Sequence, residues 1–262
     1  MCGVFGFISK NGKGPSPKRL ESIARATEKR GPHAFGFAWV DSKGRLKHYK
    51  QRGRITSHLA LLKMAHDARL LIGHCRYATH GRPENNTNNH PHAADGGFIV
   101  HNGVIHDHES ILHAHQLETV SECDSETLAR LIEKLDGSVT ARATAAAEIC
   151  GEAPLVMLGL WTKPMRLVAI RSGNPLTIAH DTRGTYLASL ASGMPHNVAD
   201  VQNYRALTFS YKGGKSQKRQ RRVEPTRAAR SVPMKSWEDF RDNDRKDRDR
   251  PLLVSSYFFN DD

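Results

Sequence analysis

Between residues 154 and 190 four strand-length apolar runs follow one another: "PLVMLGLW", "MRLVAIRS", "LTIAHD" and "TYLASL". The links between them are a few residues long and carry Gly, Pro and Asn. A parallel crossover needs a dozen residues or more, so links this short leave antiparallel pairing. Sheet of this kind must cover its apolar faces with another layer, and the rest of the chain offers both strands and helices for that. "VFGFIS" reads as a strand. "SPKRLESIARATEKRG" reads as a helix, with Ser16 as N-cap, Pro17 in the first turn and Gly31 just past the end. "FGFAWV" and "RLKHYKQ" flank a "DSKG" turn as a hairpin. A helix through "SHLALLKMAHDA" precedes the strand "RLLIGHCRYAT", and after a long polar loop comes the strand "GFIVHNGVI". Further helices are expected around His108–Gln116, Ser125–Leu135 and Thr140–Cys150. The expected class is α+β, antiparallel sheets with helices on their outer faces. No glycine-rich phosphate loop sits in a strand–helix context.

The net charge of +12 is unevenly spread: Lys212–Arg250 holds fourteen Lys/Arg against seven Asp/Glu. "TFSYKGGKSQKRQRRVEPTRAARSVP" leaves a strand, passes a Gly pair and becomes basic and aromatic-free. Such a composition cannot bury enough apolar surface to fold alone. The chain is therefore divided into a folded domain, 2–211, and a basic, mostly disordered tail, 212–262, with the apolar end "PLLVSSYFF". A hydrophobic content of 38% suits a domain with an appendage. No stretch approaches the ~18 apolar residues of a membrane span, and the start lacks a secretory signal. Cys2, Cys75, Cys123 and Cys150 show no paired spacing, which points to a reducing cytoplasm.

Cys2 stands directly behind the initiator methionine, at the head of a strand. Chain ends are usually frayed, an odd place for a structural thiol. If the methionine is removed, a nucleophilic thiol and an α-amine of pKa ~7.7–8 share one residue, so a base is supplied without a histidine or aspartate partner. Other polar residues sit where a folding core would not want them. Arg30 and Gly31 lie at a helix end. "GHCRYATHG" closes a buried-looking strand with Arg76, Thr79 and His80. "HNGVI" places Asn102 and Gly103 inside an apolar strand, where glycine weakens the strand unless backbone must approach something. "SECDSETL" sets Asp124 beside a helix start. Singly, Arg30 reads as a helix-end charge, Asp124 as a cap and Asn102–Gly103 as a turn or bulge.

Their order discriminates. Cys2-Gly3, "RG…GFA", "GHCRYATHG", "NNHPH", "HNGVI" and "SECDSET" follow one another as in class II glutamine amidotransferase domains, and "AIRSGNPLTI" and "TYLASL" resemble that family's closing strands. The resemblance covers roughly residues 2–210. It implies the N-terminal-nucleophile (Ntn) hydrolase fold, an αββα sandwich of two antiparallel sheets flanked by helices. It also implies that Cys2 attacks the side-chain amide of glutamine, giving a γ-glutamyl thioester and ammonia. The side chain of Asn102 and the backbone N–H of Gly103 would form the oxyanion hole. Arg76 would bind the substrate α-carboxylate, with Thr79 and His80 lining that end, and Asp124 the α-ammonium group. Arg30 and Tyr77 would support the nucleophile from behind. This chain departs from the pattern at His33, where many relatives have an aspartate, and at Tyr77, where a tryptophan stands in a loop that closes over glutamine. The family works without a cofactor.

Histidines are frequent: His101, His106, His108, His113 and His115, with His90 and His92 upstream. His90, His92 and His101 fall inside motifs the family uses without metal, so no metal site is expected. Three functions stay open. The first is a stand-alone glutaminase that hands ammonia to a separate synthase subunit. The second is a γ-glutamyl amide or peptide hydrolase with the same nucleophile. The third is a scaffold whose basic tail contacts an acidic partner or nucleic acid.

Overall fold

The computed structural model describes residues 1–151, 153–212 and 215–223. In chain order its strands are β1 (Gly3–Ser9), β2 (Ala34–Val40), β3 (Leu46–Arg52), β4 (Leu70–Arg76), β5 (His92–Ala94), β6 (Gly97–Asn102), β7 (Leu155–Thr162), β8 (Met165–Ser172), β9 (Thr177–His180), β10 (Gly184–Ala188), β11 (Ala199–Asp200), β12 (Arg205–Lys212) and β13 (Lys215–Arg222). The α-helices are α1 (Pro17–Glu28), α2 (His108–Ala114), α3 (Glu126–Lys134) and α4 (Val139–Ile149). Two sheets result, ordered β11-β9-β10-β1-β4-β2-β3 and β13-β12-β8-β7-β6-β5, and the strand pairings in both are antiparallel.

Strand alternation sorts the apolar side chains into three layers. Val4 and Ile8 of β1, Ala38 and Val40 of β2, and Leu70 and Ile72 of β4 meet Val100, Val156, Leu158 and Leu207 of the second sheet. The alternate residues of the first sheet, Phe5, Phe7, Phe37 and Trp39, pack outward with Leu20 and Ile23 of α1. Those of the second sheet, Met157, Trp161, Val168 and Ile170, pack with Leu128 and Leu131 of α3 and Ala143 of α4. The order of layers is thus helix, sheet, sheet, helix. No helix of the described residues is long and apolar enough to cross a membrane.

Two segments differ from expectation. The helix expected at 57–68 is a 3-10 segment, Ile55–Ala65, broken at His58 (φ −136°, ψ 27°). The His58 ring is tied to the Arg54 carbonyl at 3.0 Å and stacks near Phe35, and Glu28 takes the Thr56 N–H at 2.7 Å, so local side-chain bonds compete with a regular helix. The second difference is the boundary at 211. The chain does not leave the sheet there: β13 pairs with β12 from Arg205↔Arg222 to Lys212↔Lys215. An edge strand takes its hydrogen bonds from one neighbour and needs little apolar surface. Its Lys and Arg side chains also discourage pairing with another chain's edge. Val223, fully buried in the outer layer, closes the strand through its N–H to the Tyr204 carbonyl at 3.0 Å. The rest of the proposed tail, including "PLLVSSYFF", lies outside the described residues.

A truncation after Tyr211 should therefore lose stability and aggregate. It strips the charged strand from the edge of β12 and removes the buried Val223 side chain, worth about 1.5–3 kcal/mol alone. A truncation after Val223 keeps β13 and its buried end and serves as the control. Thermal melts and size-exclusion profiles of the two check this; equal behaviour would mean that β13 contributes nothing to the sheet.

Candidate active site

The same alternation that builds the core between the sheets aims a set of polar side chains into one end of it. On β1 the residues facing the second sheet are Val4 and Ile8, which puts Cys2, two residues before Val4, on that face. On β4 Leu70 and Ile72 face the same way, so His74 and Arg76 follow them. On β6 Val100 faces inward and Asn102 follows it. Register brings these ends together. Gly3 stands opposite Cys75 and Val4 opposite His74, and the His74 ring Nε2 lies 2.9 Å from the His101 carbonyl, stitching β4 to β6. Cys75 points the other way, into the layer under α1.

The Cys2 thiol is held at the strand end by the backbone of Tyr77, whose N–H donates to Sγ at 3.3 Å and whose carbonyl lies 3.4 Å from it. Arg30, buried at the end of α1, donates from Nε to the Cys2 carbonyl at 2.8 Å. Gly31 lets this helix end approach β4, because a Cβ there would stand 2.4 Å from the Arg76 carbonyl carbon. His33 accepts from the Ala78 N–H at 3.1 Å and stacks against the Tyr77 ring, so it buttresses the same turn. Burial pushes the Cys2 thiol above its ordinary pKa. The Tyr77 N–H, the positive chain terminus and Arg76 pull it down, while Asp124 adds to the rise.

Arg76 is buried, and three of its five N–H donors are engaged: Nη1 with Asn89 Oδ1 at 2.8 Å, Nη2 with the His80 carbonyl and with the Gly81 carbonyl at 3.0 Å. The remaining donors can take a ligand carboxylate. Asp124, buried at the foot of α3, accepts the Ile105 N–H on Oδ2 at 2.7 Å. Its Oδ1 lies 3.6 Å from the His80 ring, so His80 contributes its carbonyl to the Arg76 end and its imidazole to the Asp124 end. Thr79 is exposed and lines an open cleft of about 400 Å³ with Ala78, Gly81, Arg82, Pro83 and Glu122.

Asn102 is the anomaly of the site. It is fully buried, yet neither its side-chain oxygen nor its nitrogen has a hydrogen-bond partner. A buried polar group left this way costs about 1–3 kcal/mol, so it calls for an explanation. Its backbone carbonyl is fixed by Asn174 Nδ2 at 2.9 Å, which also holds the Pro154 carbonyl at 2.9 Å. Gly103 must be glycine: a Cβ would stand 2.6 Å from the His101 ring and 2.8 Å from the Pro154 carbonyl. Asn174 and Asn89 have no role assigned from sequence, although both lie in quoted motifs. What marks them is a neutral amide in a buried link beside a strand end.

The chain is 34% identical over 198 residues to a protein named glutamine–fructose-6-phosphate aminotransferase [isomerizing] from Legionella pneumophila (strain Paris). The match covers 72% of this chain and 32% of that protein. A protein of the same name from Pseudomonas aeruginosa is 35% identical over 198 residues, with the same coverage. The chain carries a class II glutamine amidotransferase domain. It spans about a third of the length of these curated relatives. The fold agrees. Glutamine phosphoribosylpyrophosphate amidotransferase from B. subtilis superposes with a TM-score of 0.67 at 19% identity, over 85% of this chain and 49% of that one. A glutamine aminotransferase class-II domain protein from Silicibacter pomeroyi gives 0.55 at 16% identity, over 86% of this chain and 100% of that one. No protein-family model matches the chain. The amidotransferase domain thus has the Ntn-hydrolase architecture, with Cys2 at the head of its first strand.

Proposed function

We propose that this amidotransferase domain hydrolyses the side-chain amide of free glutamine with Cys2 as nucleophile. Removal of Met1 frees the Cys2 α-amine, which takes the thiol proton as Sγ attacks the amide carbon and returns it to the departing ammonia. Water then cleaves the γ-glutamyl thioester to glutamate. The observation that carries this reading is the unpartnered, buried Asn102 amide, set with Gly103 at the end of β6 beside the strand that Cys2 leads. A donor held without a partner at this place is free to meet charge that develops only during reaction. Arg76 and Asp124 suit the α-carboxylate and α-ammonium groups of a free amino acid. The ammonia is passed to a synthase domain or partner, by analogy with relatives named as aminotransferases. The four cysteines are unpaired, which suits a cytoplasmic setting. The exposed basic edge of β13, with Lys215, Lys218, Arg219 and Arg221, offers an acidic or nucleic-acid partner a contact surface.

The test is release of ammonia and glutamate from glutamine, with glutathione as competitor. Turnover of glutamine that glutathione does not inhibit supports the reading, while preferential cleavage of the conjugate would replace it by a γ-glutamyl hydrolase.

Recognition is tested separately. Arg76→Lys keeps the charge and loses the planar fork, so KM for glutamine should rise by about 10–100-fold, the worth of a charge-assisted hydrogen bond, with a smaller change in kcat. Asp124→Asn should act in the same direction while its oxygen still accepts from Ile105. Steady-state kinetics decide it: an unchanged KM in both variants would remove these residues from substrate recognition.

A further inference from the structure

Behind the site the long polar loop brings His90 and His92 against Cys123. All three are buried, and one ligand atom of each lies within 4.8 Å of the others. Three ligands of a single tetrahedral ion stand about 3.3–3.8 Å apart for ordinary Zn–N and Zn–S bonds, so a small closure would seat one. The imidazoles are not held by other bonds. Neither ring nitrogen of His90 has a hydrogen-bond partner, and Nε2 of His92 has none, although buried imidazole nitrogens normally find one. His90 stacks on the His74 ring at 3.9 Å and meets His92 edge-on at 4.6 Å, which fixes both ring planes. The Cys123 sulfur lies 3.9 Å from Asp124 Oδ1. Two cations face the cluster, Lys50, tied to the Asn89 and Pro91 carbonyls at 2.8 and 3.4 Å, and Arg76. A thiolate would bring negative charge to an ion there, with the Asp124 carboxylate beside it.

We propose that His90, His92 and Cys123 form a binding site for one thiophilic d10 ion, Zn(II) or Cu(I). Two imidazoles and a thiolate are a donor set that selects such ions over Mg(II) or Ca(II). On binding, the Cys123 thiol releases its proton to solvent as the sulfur–metal bond forms, with no change of oxidation state. A fourth position is left for water. Glu122, the residue before Cys123, lines the open cleft. The ion would staple the loop carrying Asn89, the Arg76 partner, to the segment carrying Asp124. The site itself does not depend on the glutaminase reading.

The experiment uses full-length protein carrying Cys2→Ala, which removes the partly accessible thiol and makes the outcome independent of turnover. Titration with Co(II) should give a saturating, equimolar thiolate-to-cobalt charge-transfer band with visible bands of four-coordinate intensity, displaced by Zn(II). A parallel titration with Cu(I) against a chromophoric chelator tells which ion is held more tightly. Adding Cys123→Ser should abolish the charge-transfer band and weaken Zn(II) by about 100-fold or more, since even outer-shell changes cost 10–100-fold. Cys150→Ser should leave both unchanged. If Cys123→Ser fails to fold by circular dichroism, His92→Gln replaces it, with loss of affinity expected. Absence of a charge-transfer band in the folded Cys2→Ala protein, or a band that survives Cys123→Ser, overturns the site.

Discussion

Replacing Cys2 by alanine is expected to lower glutamine turnover by on the order of 10⁵–10⁶-fold, the usual consequence of deleting a catalytic nucleophile, while the protein melts as before. Stability should hold because the Cys2 side chain is only partly buried and the Arg30 bond runs to its carbonyl, which alanine keeps; only the weak contacts of the sulfur with the Tyr77 backbone are lost. Cys75→Ala is the informative partner. Cys75 stands opposite Gly3 in the neighbouring strand, yet its side chain lies in the layer under α1. It should cost stability and leave kcat close to normal. Equal losses of activity in the two variants would mean that the nucleophile is misassigned. The amine makes a second, independent demand. A chain that retains Met1 carries its α-amine one residue away from the thiol, so protein shown by intact mass to keep Met1 should be as inert as Cys2→Ala. Activity in Met1-retaining protein would sink the role of the Cys2 amine.

The strands of the two sheets were legible because most are buried on both faces. β1, β2 and β4 are buried at every residue and read as continuous apolar runs, and the short links from β7 to β8 and from β9 to β10 fixed the antiparallel sense of those pairs. The candidate site stood out in the sequence for a different reason. Cys2, Arg76, Asn102 and Asp124 each interrupt an apolar pattern where a structural explanation exists, and only their order in the chain set those explanations aside. What stayed hidden depends on partners far away in sequence. β13 has no apolar period, and its strand state comes from the backbone of β12. Asn174 acts through two carbonyls, of Asn102 and Pro154. His90, His92 and Cys123 meet across a gap of thirty residues that matches no ligand spacing. His80 was placed at the carboxylate end by resemblance, while its ring lies beside Asp124.

Asn102→Ala separates catalysis from folding most cleanly. Where a buried asparagine is structural, its amide is bonded and truncation leaves those partners orphaned, so stability falls with function. Here the amide has no partners to orphan, and the main-chain bond from Asn174 to the Asn102 carbonyl survives the change. The loss of stability should therefore stay under about 1 kcal/mol, because removing an unsatisfied group offsets the small cavity left behind. Activity should fall by about 10²–10³ in kcat, the cost of one missing oxyanion donor, with KM for glutamine little changed, because the ground-state amide oxygen carries less charge than the tetrahedral intermediate. Asn102→Asp sharpens the test: it keeps the shape and places an anion where the oxyanion must form, so its kcat should fall below that of the alanine variant. Melting curves read beside kcat and KM decide the matter. A large drop in melting temperature with unchanged kcat would make Asn102 a structural residue and leave the oxyanion without its side-chain donor.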